Sequence, residues 1–206
     1  RLYHAAHYVA EHDNVTMIQF SSFGCGLDAL TTGQVKSILE EHNRIYTMIK
    51  LDDVSNLGAA RIRLRSLIAA LARRTPMPYE AIEISSRPVF TEDCKKRHTI
   101  LAPQMAPIHF ELFQSVLGKY GYDVIIPEML PGAVDMGLRY VNNDMCYPAI
   151  VVIGQLIKAI KQGICDPDNT SIMLFQTCGA CRATNYLNVM RMALKDAGYP
   201  QIPVFA

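Results

Sequence analysis

The chain lacks a charge imbalance: 20 Lys and Arg stand against 19 Asp and Glu in 206 residues. No global field therefore favours a polyanion, and nucleic acid is not expected as a partner. A long apolar run is missing too. The longest candidate, Ala149–Ile153, falls far short of the roughly 18 residues that a bilayer span requires, so no membrane partner is expected either. Arg1–His12 are polar and His-rich, without the apolar segment of a signal peptide. Cysteine is too sparse for a secreted disulfide scaffold, with 6 thiols spread over the whole length. A reducing cytoplasmic setting fits better. No glycine-rich phosphate loop of the kind an ATPase needs is visible, so any ATP-using module should lie elsewhere.

What is present is apolar residue enough for packed cores, 50% of the chain, arranged in alternating strand-like and helix-like segments. Val15–Phe20 and Ile45–Leu51 read as strands around a helix from an Asp28 N-cap to about His42, a compact βαβ unit. A helix before them, Leu2–Glu11, and one after, from Asn56–Gly58 to Arg73, complete a first half over residues 1–74. In the latter helix Ile62, Leu67, Ile68 and Leu71 recur at helical spacing as an apolar face. Pro76, Pro78 and Pro88 mark residues 75–97 as a linker closed by the charges of Lys95–Arg97, with a short extended piece at Ala81–Ile84.

The second half, 98–206, repeats the logic. Strands are expected at Thr99–Ala102, Tyr122–Ile126, Ser171–Gln176 and Ile202–Phe205. Helices are expected at Ile108–Lys119, Ala133–Tyr140, Cys146–Gln162 and Arg182–Ala197. The third of these helices is apolar on nearly every side and should be buried. The fold class is therefore α/β: two Rossmann-like halves with parallel sheets flanked by helices. Both ends read as cut, because the chain opens on a helix with no strand before it and stops within a strand.

Four thiols sit where such folds place chemistry. Cys25 lies in Phe-Gly-Cys-Gly, just after a strand. Cys146 opens a helix, with Pro148 tolerated in its first turn. Cys178 and Cys181, in Cys-Gly-Ala-Cys-Arg, follow another strand. Open α/β sheets bind ligands beyond the carboxyl ends of their strands. Free N–H groups at helix starts favour thiolate, and Gly24, Gly26 and Gly179 leave room for a bulky inorganic core. Thiols so placed suggest soft-metal ligands gathered from distant parts of one fold. A Cys-x-x-Cys spacing also serves zinc and redox sites, and a free cysteine is commonly a small buried hydrophobe. That plainer role is expected of Cys94 and Cys165, which lie in charged or turn-like segments without glycines.

The stretches Phe-Gly-Cys-Gly-Leu-Asp (23–28), Asn-Leu-Gly-Ala-Ala-Arg-Ile-Arg-Leu-Arg-Ser (56–66), Tyr-Val-Asn-Asn-Asp-Met-Cys-Tyr-Pro-Ala (140–149) and Cys-Gly-Ala-Cys-Arg-Ala-Thr-Asn-Tyr (178–186) carry a likeness. The chain resembles the large activase-related proteins of the 2-hydroxyacyl-CoA dehydratase system, in their dehydratase-like portion, from about Ser21 to Phe205. The resemblance implies an iron–sulfur cluster, [4Fe-4S] or double-cubane, held by Cys25, Cys146 and Cys181, with Cys178 an extra ligand or a bystander. It implies as partner an activase domain or protein that hydrolyses ATP to drive a low-potential electron into the cluster, in a homo- or hetero-oligomer. It also implies an acyl-CoA substrate, in which one electron on the thioester makes the 3-hydrogen acidic enough for loss of the 2-hydroxyl. The alternative from another class is a non-catalytic α/β scaffold that docks an activase, with zinc or no metal at its cysteines.

Other residues carry weaker expectations. Arg182, at a helix start beside the cysteines, is a candidate for balancing cluster charge or gripping a phosphate. Arg61, Arg63 and Arg65 read as a solvated face or as an anion or partner-docking patch, and their alternate spacing, which spreads them around the helix, favours the first. Asn142, Asn143 and Asp144 are expected to cap the helix that follows. His109 is expected to be partly buried, and Gln104 and Gln155 are candidates for contact with substrate or cluster.

Overall fold

The computed structural model describes residues 1–22, 27–51, 57–75, 79, 87–143, 145–176 and 181–206, with only the backbone at 27–30 and 182. The chain divides into two compact units, Arg1–Ser85 and Ser86–Ala206. Both are built of parallel strands flanked by helices.

In the first unit α1 (Leu2–Glu11) precedes β1 (Ile18–Ser21), α2 (Leu27–Glu41), β2 (Thr47–Lys50) and α3 (Leu57–Arg73). β1 and β2 pair in parallel, Ile18 opposite Thr47, with α2 as the crossover. Helix α2 begins one residue before Asp28, which therefore lies inside its first turn instead of capping it. Ala6 and Val9 of α1 pack on Val35 and Leu39 of α2 to make the core. Arg44, buried, donates to the Ala10 carbonyl at the end of α1 through Nε (3.1 Å) and Nη2 (2.7 Å), and pairs with Asp13. The hydrogen bond from Arg44 holds the Asp13 carboxyl below its ordinary range, and Arg74, 3.2 Å away, adds to the effect.

Helix α3 departs from expectation. Of its apolar face only Leu67 is buried, while Ile62 and Ile68 are each 67% exposed. Arg61, Arg63 and Arg65 are exposed as well.

The second unit runs α4 (Glu92–Arg97), β3 (Thr99–Leu101), α5 (Pro107–Lys119), β4 (Asp123–Ile125), α6 (Ala133–Tyr140), α7 (Tyr147–Lys161), β5 (Thr170–Met173), α8 (Tyr186–Ala197) and β6 (Val204–Phe205). The end of the expected linker is thus a helix. Thr91 caps it by accepting from the Cys94 N–H (3.3 Å), acids fill its first turn, and Lys95, Lys96 and Arg97 its last. That charge order suits the helix dipole, which is why a run resembling a solvated hinge winds up. The expected piece at Ala81–Ile84 lies outside the described residues.

The four strands are parallel in the order β4-β3-β5-β6. The chain steps from β3 outward to β4, crosses back through α6 and α7 to β5, and continues to β6. The direction of winding therefore reverses between β3 and β5, where a crevice opens at the carboxyl edge of such a sheet. Every residue of β5 is buried. On one side Ile100, Ala102, Val124 and Met173 pack with Phe113 of α5 and with Phe175.

Helix α7 is the unit's spine: ten of its residues, including Ile153, Gly154, Leu156 and Ile157, are buried. Its seat on α6 is unusually close. A Cβ on Gly154 would lie 1.8 Å from the Ala133 carbonyl oxygen, and one on Gly137 would lie 2.1 Å from that of Ile150. Both obstacles are backbone, so no side chain can turn aside. Gly154→Ala is expected to force the helices apart at about 3 kcal/mol or more in urea unfolding. Gly118→Ala in α5, which meets nothing within 4 Å, should be neutral or slightly stabilising. Equal stability of the two variants would refute the account of this crossing.

Candidate functional site

A parallel sheet points all its strand ends one way, and a crossover helix returns antiparallel to the strands it joins. The start of α7 and the loop after β5 therefore emerge at the same edge. Cys146 is the N-cap of α7, with Pro148 in the first turn. Cys181 is the N-cap of a 3-10 turn, Arg182–Asn185, that runs directly into α8. The sequence expectation of one continuous helix from Arg182 is thus corrected to a 3-10 turn followed by an α-helix. The Ala183 carbonyl joins the two by accepting the Tyr186 N–H.

A side-chain contact links these segments: Cys146 Sγ lies 2.9 Å from Tyr186 Oη. Tyr186 is buried at the first turn of α8, five residues beyond Cys181. Cys146 is half-buried and Cys181 is exposed. Gln176, after β5, donates to the Thr184 carbonyl (2.9 Å) and ties the strand to the same turn. The structure therefore brings Cys146 and the Cys181 turn to one region. Cys25 and Cys178 lie outside the described residues, as does the Arg182 side chain. Among the described residues no three His, Cys, Asp or Glu side chains gather as a metal site.

The two remaining thiols have local roles. Cys165 is buried, and desolvation pushes its thiol above the ordinary value despite a hydrogen bond with Thr170. Cys94 accepts from Thr91 Oγ1 at 3.4 Å in the cap of α4.

The expected cap of α7 is corrected. Cys146 occupies the N-cap without a side-chain bond to the helix's own N–H groups, and Asn142 stands one turn upstream, its carbonyl accepting the Met145 N–H at 2.9 Å. Asp144 lies outside the described residues. His109 is exposed, because no residue of α5 is fully buried.

Gln155, fully buried on α7, spans two loops at the carboxyl edge. Its Oε1 accepts the Gln104 N–H (3.2 Å) after β3, and its Nε2 donates to the Pro127 carbonyl (3.2 Å) after β4. Gln155 is thus committed to the backbone, a positioning role that composition alone does not reveal. Gln104 Oε1 is buried without a partner among the described residues, beside the point where the winding reverses. A buried acceptor left so is costly and marks a place for a donor, from water or ligand.

No family model, curated protein or solved structure matches this chain. The geometry stands on its own. Thiolates are soft ligands for zinc or iron–sulfur centres, so the donor chemistry at Cys146 and Cys181 fits either.

Replacing Gln155 by Leu would strand the Gln104 N–H and the Pro127 carbonyl, a loss of about 1–3 kcal/mol. Hydrogen exchange read by NMR should speed up at the Gln104 amide. Unaltered exchange there would show that the clamp does not order the loop.

Proposed function

We propose that this chain is an iron–sulfur module of the dehydratase type that receives low-potential electrons from an ATP-dependent activase. In this reading the two units are Rossmann-like halves of a cytoplasmic protein. Cys25, Cys146 and Cys181 are the ligands and Cys178 an additional candidate. The carrying observation is the contact of Cys146 Sγ with Tyr186 Oη, which joins the start of α7 to the Cys181 turn at the carboxyl edge of the sheet. The sequence likeness supplies the rest.

A bound cluster, [4Fe-4S] or double-cubane, would supply one-electron chemistry at low potential, with an acyl-CoA thioester as the candidate acceptor. This chain's own residues contribute ligation and environment. Cys146 stands at the N-terminus of α7, the positive end of the helix dipole. The Tyr186 hydroxyl, beside the same sulfur, is placed to tune the potential by hydrogen bonding. Arg182 opens the turn beside Cys181, where a cation would offset cluster charge.

A second reading has its own support. Ile108, Leu112 and Val116 recur every fourth residue on α5 and are 81%, 66% and 42% exposed, an apolar stripe suited to docking. A scaffold that docks an activase through such faces, with zinc or no metal at its cysteines, would be colourless and redox-silent.

Anaerobic reconstitution of the full polypeptide with iron and sulfide separates the two. The expected product is brown, with matched iron and sulfide content that falls sharply in Cys146→Ser and in Cys181→Ser. A colourless protein, or metal content indifferent to both substitutions, would leave the scaffold reading in possession.

A further inference from the structure

Two guanidinium groups share a cavity of about 400 Å³ at the β6 edge of the second unit, lined among others by Arg87, Arg191, Phe90, Phe205, Leu187 and Gln176. That volume falls within the range of small-molecule sites. It lies beyond the ends of β5 and β6 and against the first turns of α8.

Arg191 is held in position. Its Nη1 donates to Asn188 Oδ1 (3.1 Å) and its Nη2 to the Val204 carbonyl (2.7 Å), and both acceptors are neutral. Arg87 is exposed. The ion pairs of the described residues are Lys36–Glu40, Arg44–Asp13, Arg74–Asp13 and Arg97–Asp93, and none neutralises either group. Burial, and after it the charge of Arg87, lowers the proton affinity of Arg191. Arginine nonetheless stays charged at neutral pH. Two like charges facing one space repel until an anion enters.

Most of the remaining wall is apolar, with Gln176 and the last residue, Ala206, also lining it. Phe90 and Phe205 stack with ring centroids 4.2 Å apart, and Leu187 and Val204 stand beside them. Inorganic ions gain nothing from such a wall, whereas an anion with an apolar body gains from both parts of it.

We infer that this cavity binds a small organic oxyanion, a carboxylate or phosphate carried on an apolar body, between Arg87 and Arg191 with the Phe90–Phe205 wall under its apolar part. The site needs no metal, so it stands or falls separately from the cluster reading.

Calorimetric titration of the 206-residue chain with benzoate, phenyl phosphate and neutral benzyl alcohol tests it. At least one of the two anions should bind saturably and more weakly as salt rises, whereas benzyl alcohol should not saturate. The tighter of the two anions identifies the head group. Arg87→Gln, at an exposed residue, should weaken binding about tenfold or more with the urea midpoint unchanged. Arg191→Lys, which keeps the charge but loses the planar fork, should weaken it as well. Absence of saturable anion binding, equal binding of benzyl alcohol, or undiminished affinity in Arg87→Gln would overturn the inference.

Discussion

The second unit depends on one steric constraint: α6 and α7 meet with backbone against backbone at Gly137 and Gly154. Contacts this short leave no slack for α7 to slide or turn. Because α7 is buried nearly all round, its register fixes its N-terminus, and with it Cys146. The same helix carries Gln155, which holds the loops after β3 and β4. The placement of a thiol and of two loops at the carboxyl edge thus traces back to two residues that have no side chain.

The sheet supplies the complementary half. β5 is central, buried at every position, and lies beside the reversal of winding. The segment that follows it leads to Cys181 and then to Tyr186, whose hydroxyl reaches the Cys146 sulfur. A rigid helix start and a strand-end turn, coming from opposite directions in the chain, converge on one tyrosine. The Arg87–Arg191 cavity lies further along the same edge, and Gln176 belongs to both regions.

Much of this was legible in the sequence, and the reasons are physical. Alternating apolar segments of strand and helix length mark each of the fourteen α-helices and strands among the described residues except α4, because burial imposes its period on the chain. The burial of α7 followed from an apolar residue on every face. Failures came where tertiary packing or local capping decides. Helix α4 was hidden by its proline-rich surroundings, although Thr91, its acids and its bases are ordered as a capped helix requires. Asn142 and Asn143 looked like caps but stand a turn too early, since Pro148 allows the helix to start only shortly before it. Ile62 and Ile68 have helical spacing but no neighbour among the described residues of the first unit to cover them. Gly137 and Gly154 carry a signal of close approach that their apolar neighbours mask, since a glycine inside a helix costs stability unless packing needs it. In the sequence Tyr186 is only the end of a motif. Its role needed the α7–α8 geometry, which no spacing in the chain encodes.

The central claim is that the thiols of Cys146 and Cys181 serve one redox centre. Low-temperature electron paramagnetic resonance on the reduced, anaerobically reconstituted full polypeptide tests it most directly. The account predicts one cluster signal in the parent protein, perturbed or abolished by Cys146→Ser and by Cys181→Ser alike, and shifted by Tyr186→Phe. A signal that responds to neither cysteine substitution, or no signal from a fully folded and reconstituted chain, would contradict it.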